Sequence, residues 1–200
     1  MQRRDFLKAT GATASGLAIV TLTGCSTTAS TTKTTEESPE NRSKRQELRV
    51  SSDGALTRLQ EQVPDTRELL RKASGVLVFP RVIAAGLGIG GQYGEGVLKE
   101  RNTVVDYYRL VSGSIGLQIG AQSKAIYFLF MTRDALDNFR KSEGWSAGVD
   151  ASVAVIKAGA DGRLDMSAVK GPVLAFVLTN AGLMANLTLE GTKITRLTES

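Results

Sequence analysis

"AAGLGIGGQYGEGVL", residues 84–98, contains a G-x-G-x-x-G at Gly86, Gly88 and Gly91. That spacing cradles a dinucleotide pyrophosphate where a strand ends in a tight turn and a helix begins, because the helix N-terminus supplies amide donors and a positive dipole end. No helix can follow here. Gly94 and Gly96 interrupt the next turn, each costing about 1 kcal/mol relative to Ala inside a helix. Parity gives the better reading. Gly86, Gly88, Gly90, Gly94 and Gly96 are even-numbered, while Leu87, Ile89, Tyr93 and Val97 are odd, the period of a β-strand with one bare face. "SGSIGLQIGAQ" (112–122) repeats the pattern with Gly116 and Gly120. A row of glycine on one strand face implies close approach of a backbone or ligand, or a sharply bending sheet. Gln92, Gln118 and Gln122 share that parity and either line a polar groove or lie on a face that is solvent-exposed or packed against a crossing backbone.

Working toward the N-terminus, the chain begins with Arg3, Arg4, Phe6, Leu7 and Lys8 before an uncharged apolar stretch over 9–24. This is the layout of a twin-arginine export signal, too short to span a bilayer. "LTGC" (22–25) resembles a lipoprotein cleavage box, with Cys25 as the acylated first mature residue. By resemblance to Gram-negative lipoproteins, Ser26 in place of an Asp implies the outer membrane, facing the periplasm. The expected organisation is a leader over 1–24, a lipidated Cys25 with a disordered tether over 25–42, and a folded domain over 43–200. The run 26–41 contains one apolar residue, Ala29, too little to offset the entropy of ordering.

The chain has one cysteine and no histidine. A disulfide, a Cys/His metal site, a Ser-His-Asp triad and a Cys-His dyad all fall away. Neither a metal nor a cofactor is expected. Asp134 and Asp137 are three apart on one helical stretch, but both lie in its first turns, where carboxylates favour the helix dipole, so no enzyme is read. Removing residues 1–24 takes three basic residues and one acidic residue away and leaves a net charge of +3, too small to argue for nucleic acid.

A helix is expected over 43–63 with a Leu48, Ala55, Leu56, Leu59, Val63 stripe that Gly54 weakens. A second follows Pro64, with Asp65 and Glu68 as a capping box and Gly75 as its stop. Short strands are then expected at 75–80, 82–98, 103–111, 112–122 and 125–131. Thr132 can cap a helix whose Leu136 and Phe139 face inward and which Gly144 closes. Strands return at 145–158, 163–169, 173–179 and 182–197, with Asp161-Gly162 as a hairpin turn. The sum is an α+β fold: a curled antiparallel β-sheet or partial barrel, two N-terminal helices and one inserted helix.

"KASGVLVFPRVIAAGLGIGGQYGEGVL", "SIGLQIGAQ", "AIYFLFMTRDALDNF", "WSAGVDASVAV" and "NAGLMANLTLEGTKI" resemble, in order and spacing, the SYLF domain. The resemblance spans roughly 43–198 and is most specific at the glycine strand 86–96 and at Gly182, Leu183 and Leu189-Glu190-Gly191. It implies phospholipid binding, with phosphoinositides for eukaryotic members and actin for some. Eukaryotic members place a basic amphipathic N-terminal helix against the membrane. In an exported chain without SH3 or FYVE partners, lipid binding carries over and the actin role does not. Expected contacts for acidic phospholipid are Arg42, Lys44, Arg45 and Arg49 near the first helix, Arg81 at a strand junction, and Lys99 and Arg101 after the glycine strand. Roughly 1 kcal/mol accrues for each Lys or Arg near an anionic surface, and the lipid on Cys25 holds the domain close. Tyr107, Tyr108, Phe128 and Trp145 read as core. The competing expectation is an envelope protein-interaction module for which the lipid is only an anchor.

Overall fold

The structure, a computed structural model, describes residues 38–156, 164, 170–184 and 189–198, with 87–89 and 114–121 described by their backbone alone. The expected leader over 1–24, Cys25, most of the Ser/Thr-rich run, the expected Asp161-Gly162 turn and nearly all of the strand expected at 163–169 lie outside the described residues.

Helix α1 covers Pro39–Gln62 and starts four residues earlier than expected. The start signal is Ser38-Pro39-Glu40: the Ser38 hydroxyl accepts the Asn41 N–H at 3.2 Å, Pro39 needs no amide partner at N1, and Glu40 sits at the positive dipole end. Ser52, Ala55 and Leu59 are its buried residues, so only its second half presses into the core. Helix α2 covers Thr66–Lys72. The expected capping box does not form. Asp65 has helical backbone angles and no capping bond; its carboxylate accepts the Leu164 N–H at 3.4 Å, while Glu68 pairs with Lys72 at 2.6 Å. The helix ends at Lys72, ahead of Gly75, which opens the next strand.

Five short strands were expected where there are two long ones, β1 (Gly75–Glu100) and β2 (Thr103–Phe130), forming one antiparallel hairpin. The breaks suggested by Pro80-Arg81 and Ser112-Gly113 do not end strands. Pro80 and Arg81 fall in a bulge between Phe79 and Val82, and a strand with no partner on its other side tolerates a missing N–H there. Two further register shifts lie at Gly86/Gly88 and Leu98/Lys99. Arg101 and Asn102 make the two-residue turn with φ of 46° and 70°, the left-handed pair that matches the strand twist.

Helix α3 (Arg133–Lys141) is capped by Thr132, whose hydroxyl accepts the Ala135 N–H at 3.2 Å, and it buries Leu136 and Phe139 as expected. It ends at Ser142 in extended backbone, before Gly144. The stretch expected as one strand at 145–158 is instead β3 (Trp145–Ser146), a turn, and β4 (Val153–Val155). Then come β5 (Val173–Thr179), β6 (Gly182–Leu183) and β7 (Lys193–Arg196). The sheet order is β3-β7-β2-β5-β4, with β1 on β2 and β6 on β5. It is a half-barrel of α+β type. One correction applies: β4 pairs with β5 in parallel, so the sheet is mixed rather than antiparallel throughout.

Both faces of the sheet centre are buried, and alternation sorts the residues. Ile126, Phe128 and Phe130 of β2 join Val173, Ala175 and Val177 of β5, Phe139 and Trp145 in one core. Ala125, Tyr127 and Leu129 join Leu174, Phe176 and Leu178 beneath Leu59 of α1, Val63 just after it and Leu69 of α2. The four aromatics read as core are buried.

The bare glycine face has its explanation in the curl. A Cβ on Gly94 would lie 2.7 Å from Val82 Cγ2 and 2.9 Å from the Arg81 carbonyl. On Gly96 it would collide with the Val78 carbonyl and lie 2.6 Å from Phe79 Cδ1. The start of β1 therefore packs directly on its own end. Of the ligand, bend and crossing-backbone explanations, the crossing backbone accounts for these two positions. Gly86 faces Gly120 and Gly88 faces Gly116 across the hairpin, on either side of a bulge, and Gly90 faces Ser114.

A cationic cleft at the hairpin turn

The seven basic residues singled out in the sequence do not form one patch. Arg42 is exposed on the first turn of α1. Lys44 is exposed and pairs with Glu40 one turn back at 2.9 Å, which holds the Glu40 carboxyl below its ordinary range. Arg45 and Arg49 lean on the Tyr107 ring, 4.6 and 5.7 Å from its centroid, and the Arg49 Nε donates to the Tyr107 hydroxyl at 2.5 Å. Reading Tyr107 as core alone missed this: it is the sheet's docking point for the N-terminal half of α1. Arg81 is exposed in its bulge, bordering with Lys44 a groove that includes the exposed Ile83 and Tyr93.

Lys99 and Arg101 belong to a different place. A cleft of about 640 Å³ opens between α1, α2 and the hairpin turn, lined by Leu56, Leu70, Ala73 and Val76 and by Arg67, Arg71, Lys99 and Arg101. Its charged lining is wholly basic. Lys99 is buried in β1 and forms an ion pair with Asp53 of α1. Arg101, in the turn, is exposed. Arg67 and Arg71 are not among the expected contacts. They sit four apart on α2, one turn of the same helix face, and that spacing is the signal that could have revealed them.

The cleft walls are fixed by groups outside it. The Tyr127 hydroxyl donates to the Ala55 carbonyl at 2.8 Å, joining α1 to the sheet where the small residues Ser52 and Ala55 let the helix approach. Burial pushes the Tyr127 phenol up to about 12. On the other side of the turn, Glu100 accepts from Arg133 at 2.9 Å and from Arg140 at 2.7 Å. Asp106 meets Arg196 at 3.1 Å and Arg140 at 3.6 Å. This chain of ion pairs ties the hairpin end to α3 and β7 and thereby holds Arg101 and Asn102 in place.

Asp137 pairs with Arg133 at 3.3 Å, and Asp134 lies in the first turn of α3. Among the described residues no group of three or more metal-binding side chains converges, and no helix is long and apolar enough to cross a membrane. The strand-parity glutamines divide: Gln92 is half-buried and Gln122 exposed.

The helix-braced, curled hairpin with its basic cleft belongs to an α+β half-barrel. Residues 111–200 match the family model of Ysc84, described as a Las17-binding protein actin regulator, in agreement with the SYLF domain that the chain's motifs resemble. The match begins within β2 and takes in α3 and β3 to β7. The SYLF family is associated with lipid-binding or actin-regulator roles. No curated protein matches the chain.

Proposed function

We propose that the protein is a non-enzymatic, acidic-phospholipid-binding lipoprotein of the bacterial envelope, exported through its leader and anchored by acylated Cys25 in the outer membrane facing the periplasm. The observation that carries this reading is the cleft in which Arg67, Arg71 and Arg101 border an apolar floor without a carboxylate in the lining. Cations over apolar surface suit an amphiphile with a negative head. The actin role in the family description is not carried over, because an exported chain meets no actin. Co-sedimentation of the chain bearing Cys25→Ser tests the reading: binding to anionic vesicles and not to neutral ones is expected, and absence of binding to both overturns it.

The anchor is tested separately. Each buried acyl CH₂ contributes about 0.8 kcal/mol, so a lipidated chain stays in the membrane fraction through a high-salt wash, whereas Cys25→Ser should leave it. Retention of that variant after the wash, which screens basic contacts, means that Cys25 only ends a leader.

A second reading has its own observation. Ile83, Tyr93 and Val111 are each about half exposed, at 47, 50 and 48%, and Tyr93 and Val111 are cross-strand neighbours. Exposed apolar surface of this kind suits a protein partner, as expected of an envelope interaction module. A pull-down from envelope extract that enriches no protein counts against it.

A further inference from the structure

The cleft is recessed, and that bears on how a lipid reaches it. The large apolar side chains left exposed among the described residues are Val50, Ile83, Tyr93, Val105, Val111 and Val149, and none of them lines the cleft. Its apolar groups are half-buried Leu56, Leu70 and Ala73 and buried Val76. A volume of about 640 Å³ falls in the range of small-molecule sites, roughly 300–1,000 Å³.

The charges are available. Arg67, Arg71 and Arg101 make no ion pair among the described residues, while Asp53, Glu68 and Glu100 are each held by another cation, Lys99, Lys72 and the pair Arg133 and Arg140. Guanidinium forks match the several oxygens of a phosphate or carboxylate. The cleft also offers Gln60 and Asn102 as uncharged polar groups. The apolar wall of four side chains gives one alkyl chain a bed and leaves a second in water.

From this geometry we infer that the cleft takes one anionic single-chain amphiphile as a monomer, its head between Arg67, Arg71 and Arg101 and its chain over Leu56, Leu70, Ala73 and Val76. The inference deepens the lipid-binding reading and rests on it, but it differs in the species bound: a single molecule from solution, rather than a bilayer face.

Titration calorimetry on the Cys25→Ser chain with dodecyl phosphate below its micelle concentration tests it. Saturation at one molecule per protein is expected, with affinity at least tenfold above that for inorganic phosphate or for neutral dodecyl maltoside. Shortening the chain should weaken binding about three- to fourfold per methylene, the factor that corresponds to a buried CH₂. Arg67→Gln with Arg71→Gln should lose at least tenfold. Arg101→Asn, which keeps a residue suited to the left-handed turn, should also weaken binding and serves if the double variant misfolds. Equal binding of octyl and dodecyl phosphate, or unchanged binding by the folded variants, overturns the inference. If dodecyl phosphate does not bind but the same protein sediments with anionic vesicles, the cleft assignment falls and the lipid-surface reading stands; if neither binds, both fall.

Discussion

Gly91 and Gly96 lie five residues apart in the same strand and do opposite things. A Cβ on Gly91 would find its nearest neighbour, the Ser112 carbonyl, at 3.9 Å, whereas on Gly96 it would strike the Val78 carbonyl. The even-numbered side faces the start of β1 folded back upon it, and the odd-numbered side at Gly91 faces outward. Gly113, opposite Gly91 in the hairpin, has nothing within 4 Å. Glycine count alone says little; parity and the curl decide which glycines the fold requires.

The sharpest way to break this contrast is Gly96→Ala. The obstacle is a backbone carbonyl, which cannot rotate away as a side chain would, so a loss of about 3 kcal/mol or more is expected, at the top of the overpacking range. Urea unfolding of this variant beside Gly91→Ala measures it; equal stability of the two would show that the curl does not depend on Gly96.

A second test asks whether α1 is truly clamped to the sheet behind the curl. Tyr127 has its phenol raised to about 12 by burial, above an unfolded value near 10, so the folded state keeps a proton that the unfolded state releases between those values. The stabilisation is therefore fully present below about pH 10 and is lost as pH rises toward 12, by up to about 3 kcal/mol. Urea midpoints from pH 9 to 11.5 should fall faster for the parent than for Tyr127→Phe. Parallel curves would mean that the phenol is not held neutral by the fold.

A smaller effect is expected at the other end of the helix. Tyr107→Leu removes the Arg49 bond and the ring beneath Arg45, about 1–2 kcal/mol for a charge-assisted bond with a cation–π contact at a partly exposed site. Hydrogen exchange should rise over residues 39–50 and not over 55–62, because only the second half of α1 is buried. The smallest effect closes the series. Gly54 has open space where a Cβ would go, so Gly54→Ala should stabilise by about 0.5–1 kcal/mol, read as a raised melting temperature.

Residues acting within one turn or one strand were legible. Thr132 and Leu136 with Phe139 define α3 as they stand, and glycine parity marked a bare strand face. The long hairpin was not legible, since Pro80 and Gly113 look like strand ends unless the partner strand is known to continue past them. Arg67 and Arg71 are linked to each other by their spacing on α2, but nothing local links them to Lys99 and Arg101, some thirty residues away in sequence, so their sharing of one cleft was not legible.

The sequence by itself determined the α+β class, the Thr132 cap of α3, the absence of histidine chemistry and the SYLF resemblance, because each depends on composition or on contacts between near neighbours. Only the tertiary structure decided which glycines are required, that Lys99 is spent on Asp53, and that Arg67, Arg71 and Arg101 share one cleft. Those facts depend on where the chain crosses itself, and a crossing is set by the summed packing of distant segments rather than by any residue's own preference.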